Sequence, residues 1–331
     1  MLIKDIGEQG LLRILQKFCP AEIVGDDCAV IPTNPHKSLA ITTDMLVDGV
    51  HFSDRTTGPY YAGWRAAAAN LSDLAAMGAR PLAVTVALAV SADTAVEWVE
   101  EFYRGMTACL EVYHTPIAGG DVVRSPVVTV AITAFGEVEC DRTIRRSNAR
   151  SNWAIVATGV HGASRAGLEL LLNPEFGQNL EKVDRTSLIL AHQQPKPRLD
   201  VLPVVWEILD AAGEFSIAGM DSSDGLADAI VQVCRASGVG AKVDRAKIPI
   251  PHSLSEIVST EKALDWALYG GEDFELVLFL PIDRAKLLVE RIGDGAAIVG
   301  ITTDSTDIWL TDSSGIYADV GLEIDRGFQH F

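Results

Sequence analysis

Strand-like runs alternate with helix-like runs along the whole of this 331-residue chain, and few architectures tolerate that alternation. Residues 38–43, 81–90, 127–135, 153–158, 274–280 and 297–301 read as strands. Residues 61–77 form an Ala-rich helical run closed by Gly78. Thr94 and Glu97 are spaced as a capping box for a helix reaching about Tyr113. Further helices are expected over 164–172, 185–192 and about 199–212, with Ser223 capping a run to Ser237 before Gly238. The prolines of 193–198 (QQPKPR) break the helical pattern. A polar stretch at 145–152 (RRSNARSN) divides the chain into domains 1–148 and 149–331. The expectation is an α/β (α+β) protein of two halves, each a mostly β layer packed with helices.

Composition narrows the function classes. There are 45 acids against 27 bases, a net charge of −18. Phosphate backbones and anionic membranes call for basic stripes, so neither nucleic acid nor a membrane is an expected partner. The longest apolar run, 81–90, is too short to cross a bilayer, and the MLIKDIGEQG start lacks the apolar core of a signal peptide. Cys19, Cys28, Cys109, Cys140 and Cys234 form no CxxC pair and read as reduced structural thiols, which suits the cytoplasm.

The acids that matter sit in turns and at strand ends, beside glycines and small residues. The sets are Gly25-Asp26-Asp27, Thr42-Thr43-Asp44 with Asp48 and His51 beyond, Asn70-Leu71-Ser72-Asp73, Gly119-Gly120-Asp121, Asp221-Ser222-Ser223-Asp224-Gly225 and Gly270-Gly271-Glu272-Asp273. Any one alone is ordinary turn chemistry. Together they suggest carboxylates gathered around several hard cations that share oxygen ligands with phosphates. Thr42 and Thr43 can add hydroxyl or backbone oxygens. Asp73 lies in an otherwise apolar helix, where an unpaired charge would be costly. Asp228 and Glu275 read as ordinary solvated acids. No GxxxxGK[ST], early GxGxxG, kinase catalytic loop or GxSxG is present, so phosphates would be held by metals, backbone and an arginine such as those at 142, 145 and 146.

The segments GDDCAV, AITTDMLVDGVHF, NLSDLAAMGA, GGD, DSSDGL and YGGEDFEL, with GFQHF at the end, follow the order seen in thiamine-monophosphate kinases. The resemblance runs from about Gly25 to Phe331. It implies the two-domain fold of aminoimidazole ribonucleotide synthase. The first domain would bind metal and ATP and dimerise; the second would complete the nucleotide and substrate site. It implies a phosphotransferase that converts thiamine monophosphate and ATP to thiamine diphosphate and ADP, with several Mg²⁺ ions, as a homodimer. Metal ligands carry over to Asp27, Thr42, Thr43, Asp44, Asp73, Asp121, Asp221 and Asp224. ATP contacts carry over to Tyr113, Gly120, Asp121, Arg146 and Ser223, and substrate contacts to His51, Glu272 and Phe328. No side-chain base is required, because the attacking phosphate oxygen is already ionised. Asp325 stands where some members have Trp, and Ser222 where many have an apolar residue.

Relatives that share NLSDLAAMGA and GGED are the rival readings. Aminoimidazole ribonucleotide synthase is the nearest. A selenide water dikinase carries a reactive Cys or selenocysteine in an early glycine-rich loop, and the early thiols Cys19 and Cys28 stand in a different context. The hydrogenase-maturation relative needs a carboxy-terminal cysteine, and this chain ends in Phe331. A non-catalytic divalent-ion binder would show EF-hand spacing, which is missing.

Overall fold

The structure, a computed structural model, describes residues 1–20, 31, 33–213, 216–293, 295–324 and 326–327. Asp26, Asp27, Cys28, Asp325 and Phe328 therefore lie outside the described residues. The chain divides into two compact units, Met1–Leu74 with Ala79–Cys140, and Ala75–Gly78 with Asp141–Phe331.

The first unit runs α1 (Ile3–Leu15), β1 (Lys37–Val47), α2 (Pro59–Ala76), β2 (Arg80–Val90), α3 (Val96–Val112), β3 (Ile117–Arg124) and β4 (Thr129–Glu139). Its sheet has the order β1-β4-β2-β3. β2 and β3 are parallel because α3 carries the chain back between them, whereas β4 is antiparallel to both its neighbours. Alternation assigns the faces. Val84, Val86 and Leu88 of β2 and Val130, Ile132 and Ala134 of β4 are buried. The other face keeps Leu39, Ile41 and Met45 of β1 more than half exposed. Helices α2 and α3 touch backbone to backbone: a Cβ on Gly63 would lie 1.9 Å from the Phe102 carbonyl, and one on Gly105 1.7 Å from that of Tyr60.

The second unit comprises β5 (Trp153–Ala157), α4 (Ala163–Leu172), α5 (Lys182–Gln193), α6 (Leu202–Asp210), β6 (Ala218–Asp221), α7 (Leu226–Ser237), β7 (Gly240–Asp244), α8 (Thr260–Tyr269), β8 (Leu276–Pro281), α9 (Ile282–Ile292), β9 (Ala297–Thr303), β10 (Ile308–Thr311) and β11 (Val320–Gly321). Its sheet has the order β11-β10-β7-β9-β5-β8-β6. β8 is apolar throughout because both its faces are covered. Val277 and Phe279 pack with Ile230 and Cys234 of α7, whereas Leu276 and Leu278 pack with Val205 and Leu209 of α6 and Leu288 of α9.

Two expected caps are corrected. The N-cap of α3 is Ala95, with no side-chain cap; the backbone of Ala92 and Thr94 instead accepts the first amides of α1. The N-cap of α7 is Gly225, because Ser223 turns its hydroxyl to Asp221. The polar stretch expected to separate the halves contains a 3-10 turn, Arg146–Asn148, docked on α7 through the Ser237 hydroxyl, which donates to the Arg146 carbonyl (2.7 Å). Cys109 and Cys234 are buried free thiols, and burial pushes Cys234 up to about 12, whereas Cys140 is exposed.

Candidate active site

In the first unit, one stripe of α2 is latched to one face of β1. Asp73 and Asn70 are three residues apart on the helix and so project together. The Thr42 hydroxyl donates to the Asp73 carboxylate. Two residues on, and on the same face, the Asp44 amide donates to Asn70 Oδ1 (3.3 Å). Asn70 is fully buried and donates its own Nδ2 to the Ala66 carbonyl (3.0 Å), which fixes its orientation. Asp44 and Asp73 are thus brought to one corner where β1 meets α2. Thr43 is not: it lies on the opposite face, its hydroxyl against that of Thr133 (2.8 Å), so from Thr43 the backbone oxygen is the candidate donor.

His51 follows the bend after β1. The Val47 amide donates to His51 Nδ1 (3.0 Å), so the neutral ring carries its proton on Nε2. The buried Arg65 donates to the His51 carbonyl (3.3 Å). On β3, Gly120 pairs with Val86, in the row that continues through Ile132 to Asp44. A Cβ there would lie 2.0 Å from the Val86 carbonyl, so this position admits only glycine. Asp121 is exposed on the edge strand, paired with Ala87 in the next row, and accepts from the Val122 amide (2.9 Å). Tyr113 closes α3, its carbonyl accepting from the Thr115 hydroxyl (3.1 Å).

In the second unit, β6 ends on Asp221, which is buried and accepts from the Ser223 hydroxyl (3.2 Å). Asp224 is exposed on the same turn. The Arg146 guanidinium donates to the Gln232 side chain, which in turn donates to Asp228 (2.6 Å), so Asp228 is part of a chain along α7. The loop holding Glu272 is clamped to this turn. The Glu272 amide donates to the Ser223 carbonyl (2.7 Å), and a Cβ on Gly271 would lie 2.8 Å from that same carbonyl. Glu272 and Phe274 adopt left-handed backbone, φ 59° and 51°, an unfavourable state for side-chain-bearing residues. Asp273, between them, anchors the loop by accepting the Gly162 (2.7 Å) and Ser164 (2.9 Å) amides at the start of α4. Burial pushes Asp273 up to about 7 while those two amides pull it back.

Beneath the turn lies a buried polar network that sequence reasoning missed. Ser222 is fully buried; it donates to His161 Nε2 (3.1 Å) and accepts from the Glu275 amide (3.2 Å). His161 is equally buried, holds its other ring nitrogen against the Gly159 carbonyl (3.1 Å), and is driven by burial down to about 4. Glu275 is not the solvated acid expected. Its carboxylate takes the Thr158 hydroxyl (2.6 Å) and the Arg198 guanidinium, and burial raises its pKa against both. The partners lie 77 and 117 residues away in sequence, which is why no local pattern marks them. Ahead of the Glu272 loop, a cavity of ≈450 Å³ is lined by Tyr269, Asp265, Arg245 and Arg326 among others, with Arg326 over the Tyr269 ring.

Among the described residues, no three His, Cys, Asp or Glu side chains form a ready-made metal cage. The side chains of Thr42, Asp44 and Asp73 on this corner carry only oxygen donors, a hard set. That suits Mg²⁺, which binds through one or two carboxylates, keeps waters and completes its shell with substrate phosphates.

The fold and these motifs define a member of the AIR-synthase-related class: the profile for "AIR synthase related protein, N-terminal domain" matches residues 25–138. Within that class, the chain is 47% identical over 331 residues to the thiamine-monophosphate kinase of Synechococcus elongatus, covering 99% of this chain and 98% of that one. The crystal structure of thiamine-monophosphate kinase from Stenotrophomonas maltophilia K279a superposes with a TM-score of 0.77 at 31% identity, covering 89% and 93% of the two chains. AaThiL complexed with AMPPCP and TMP superposes at 0.73 with 30% identity, covering 94% and 95%. The chain belongs to the thiamine-monophosphate kinase family.

Proposed function

We propose that this chain transfers the terminal phosphoryl group of ATP to thiamine phosphate, forming thiamine diphosphate and ADP. The observation that carries the reading is the latch between β1 and α2, which ties Asp73 to Thr42 and the Asp44 main chain to Asn70, so that both acids belong to one corner of the sheet. Bound there, Mg²⁺ would neutralise phosphate charge and polarise the transferring group. The chain's own residues supply position. Gly120 lets backbone approach closely, and His51 offers Nε2–H to an acceptor phosphate. Arg146 is assigned to nucleotide phosphates, and Asp121, Asp221, Ser223 and Asp224 to the metal–triphosphate. Glu272 is assigned to the thiamine ring system. Positioning and charge neutralisation suffice, since the acceptor oxygen needs no deprotonation. We further assign the enzyme to the cytoplasm. We assign it a homodimer formed through the exposed face of the first unit's sheet, where Leu39, Ile41 and Met45 would be covered.

Replacing Asp44→Asn or Asp73→Asn should lower turnover roughly 100-fold or more at ordinary Mg²⁺, with an unchanged unfolding transition. Wild-type turnover from either variant would remove that corner from the site. Arg146→Ala should raise the KM for ATP; an unchanged ATP dependence would remove Arg146.

A further inference from the structure

We propose that His192 is a positioning residue for Glu272, holding its carboxylate toward the cationic, amine-bearing ring system of the acceptor. This rests on the reading that Glu272 faces thiamine phosphate. His192 lies in the last turn of α5 and is 2% exposed. Its Nδ1 stands 3.2 Å from the Ser164 hydroxyl and 3.6 Å from Glu272 Oε2, the second a contact longer than a hydrogen bond. Ser164 joins the two acids: its amide holds Asp273 and its hydroxyl faces His192. The Glu272 main chain is fixed by the Ser223 carbonyl on one side and by anchored Asp273 on the other. The glutamate side chain itself is 36% exposed. A glutamate confined on binding loses substantial rotamer entropy. A buried, immobile imidazole beside one carboxylate oxygen reduces that loss before the acceptor arrives, which is preorganisation. The expected consequence is confined to acceptor affinity.

The test is a double-mutant cycle in steady-state kinetics, with thermal unfolding run on each variant. Glu272→Gln should raise the KM for thiamine phosphate. His192→Phe, which keeps ring volume, should raise it about tenfold, leaving the KM for ATP within about twofold. His192→Asn, which keeps a polar group near Nδ1, should recover most of the loss. In the Glu272→Gln background His192→Phe should add nothing, because there is no longer a carboxylate to hold. An equal effect of His192→Phe in both backgrounds, or a matching rise in the KM for ATP, overturns the proposal. Should His192→Phe fail to fold, the cycle is run with His192→Ala under the same criteria. If Glu272→Gln raises the acceptor KM but no His192 variant does, this inference alone falls. If Glu272→Gln leaves the acceptor KM unchanged, the assignment of Glu272 falls and the inference with it.

Discussion

Individual buried groups carry much of the site's electrostatic cost. His161 has both ring nitrogens hydrogen-bonded and is held down to about 4 by burial, below its ordinary 6.5. A base whose folded pKa is depressed stabilises the fold fully above its unfolded pKa. That stability is lost as pH falls from about 6.5 through about 4, because the unfolded chain takes the proton first. Asp273 has the opposite sign: raised to about 7, it contributes fully below its ordinary 3.8, and the contribution is lost as pH rises through 7. The wild-type profile blends the two, so the histidine must be isolated. The stability difference between wild type and His161→Phe should shrink by about 3 kcal/mol between pH 7 and pH 4. Denaturant titrations at both pH values measure it, and a pH-independent difference would mean that His161 is not kept neutral by the fold.

At the scale of elements, strands and helices with a clear apolar period were readable, and those set by distant partners were not. β2 and α2 follow from their own residues, an apolar run in one case and an Ala-rich run closed by Gly78 in the other. The cap of α4 does not: it is Asp273, more than a hundred residues downstream. Ser223 looked like the cap of α7 because its spacing fits, but Asp221 competes for its hydroxyl and wins. Asp73 reads from the sequence as an uncomfortable acid in an apolar helix, and the Thr42 hydroxyl is one partner that makes it tolerable. Asn70, in the same motif, drew no attention because a buried amide has no charge to signal its cost. The central row of the first sheet makes a sharp prediction. Gly120→Ala would drive a Cβ against the Val86 carbonyl and push β3 away from β2. A stability loss of about 2–4 kcal/mol is expected from chemical denaturation, together with weakened nucleotide binding. A variant as stable as wild type would show that β3 has room to shift.

At the scale of the molecule, the fold is divided between a four-stranded sheet with one bare apolar face and a seven-stranded sheet covered on both. The bare face asks for a cover, and a second copy of the chain is the proposed one. Ile41→Glu with Met45→Glu should convert dimers to folded monomers in light scattering, because two charges per chain would be buried without partners. An unchanged mass would place the contact elsewhere. The most direct measurement of all is product formation: purified protein, ATP and Mg²⁺ with thiamine phosphate as acceptor, reading both ADP and thiamine diphosphate. One thiamine diphosphate for each ADP released, with no turnover when Mg²⁺ is chelated, is the predicted result. ADP release without thiamine diphosphate, or with a different small acceptor only, would contradict the account.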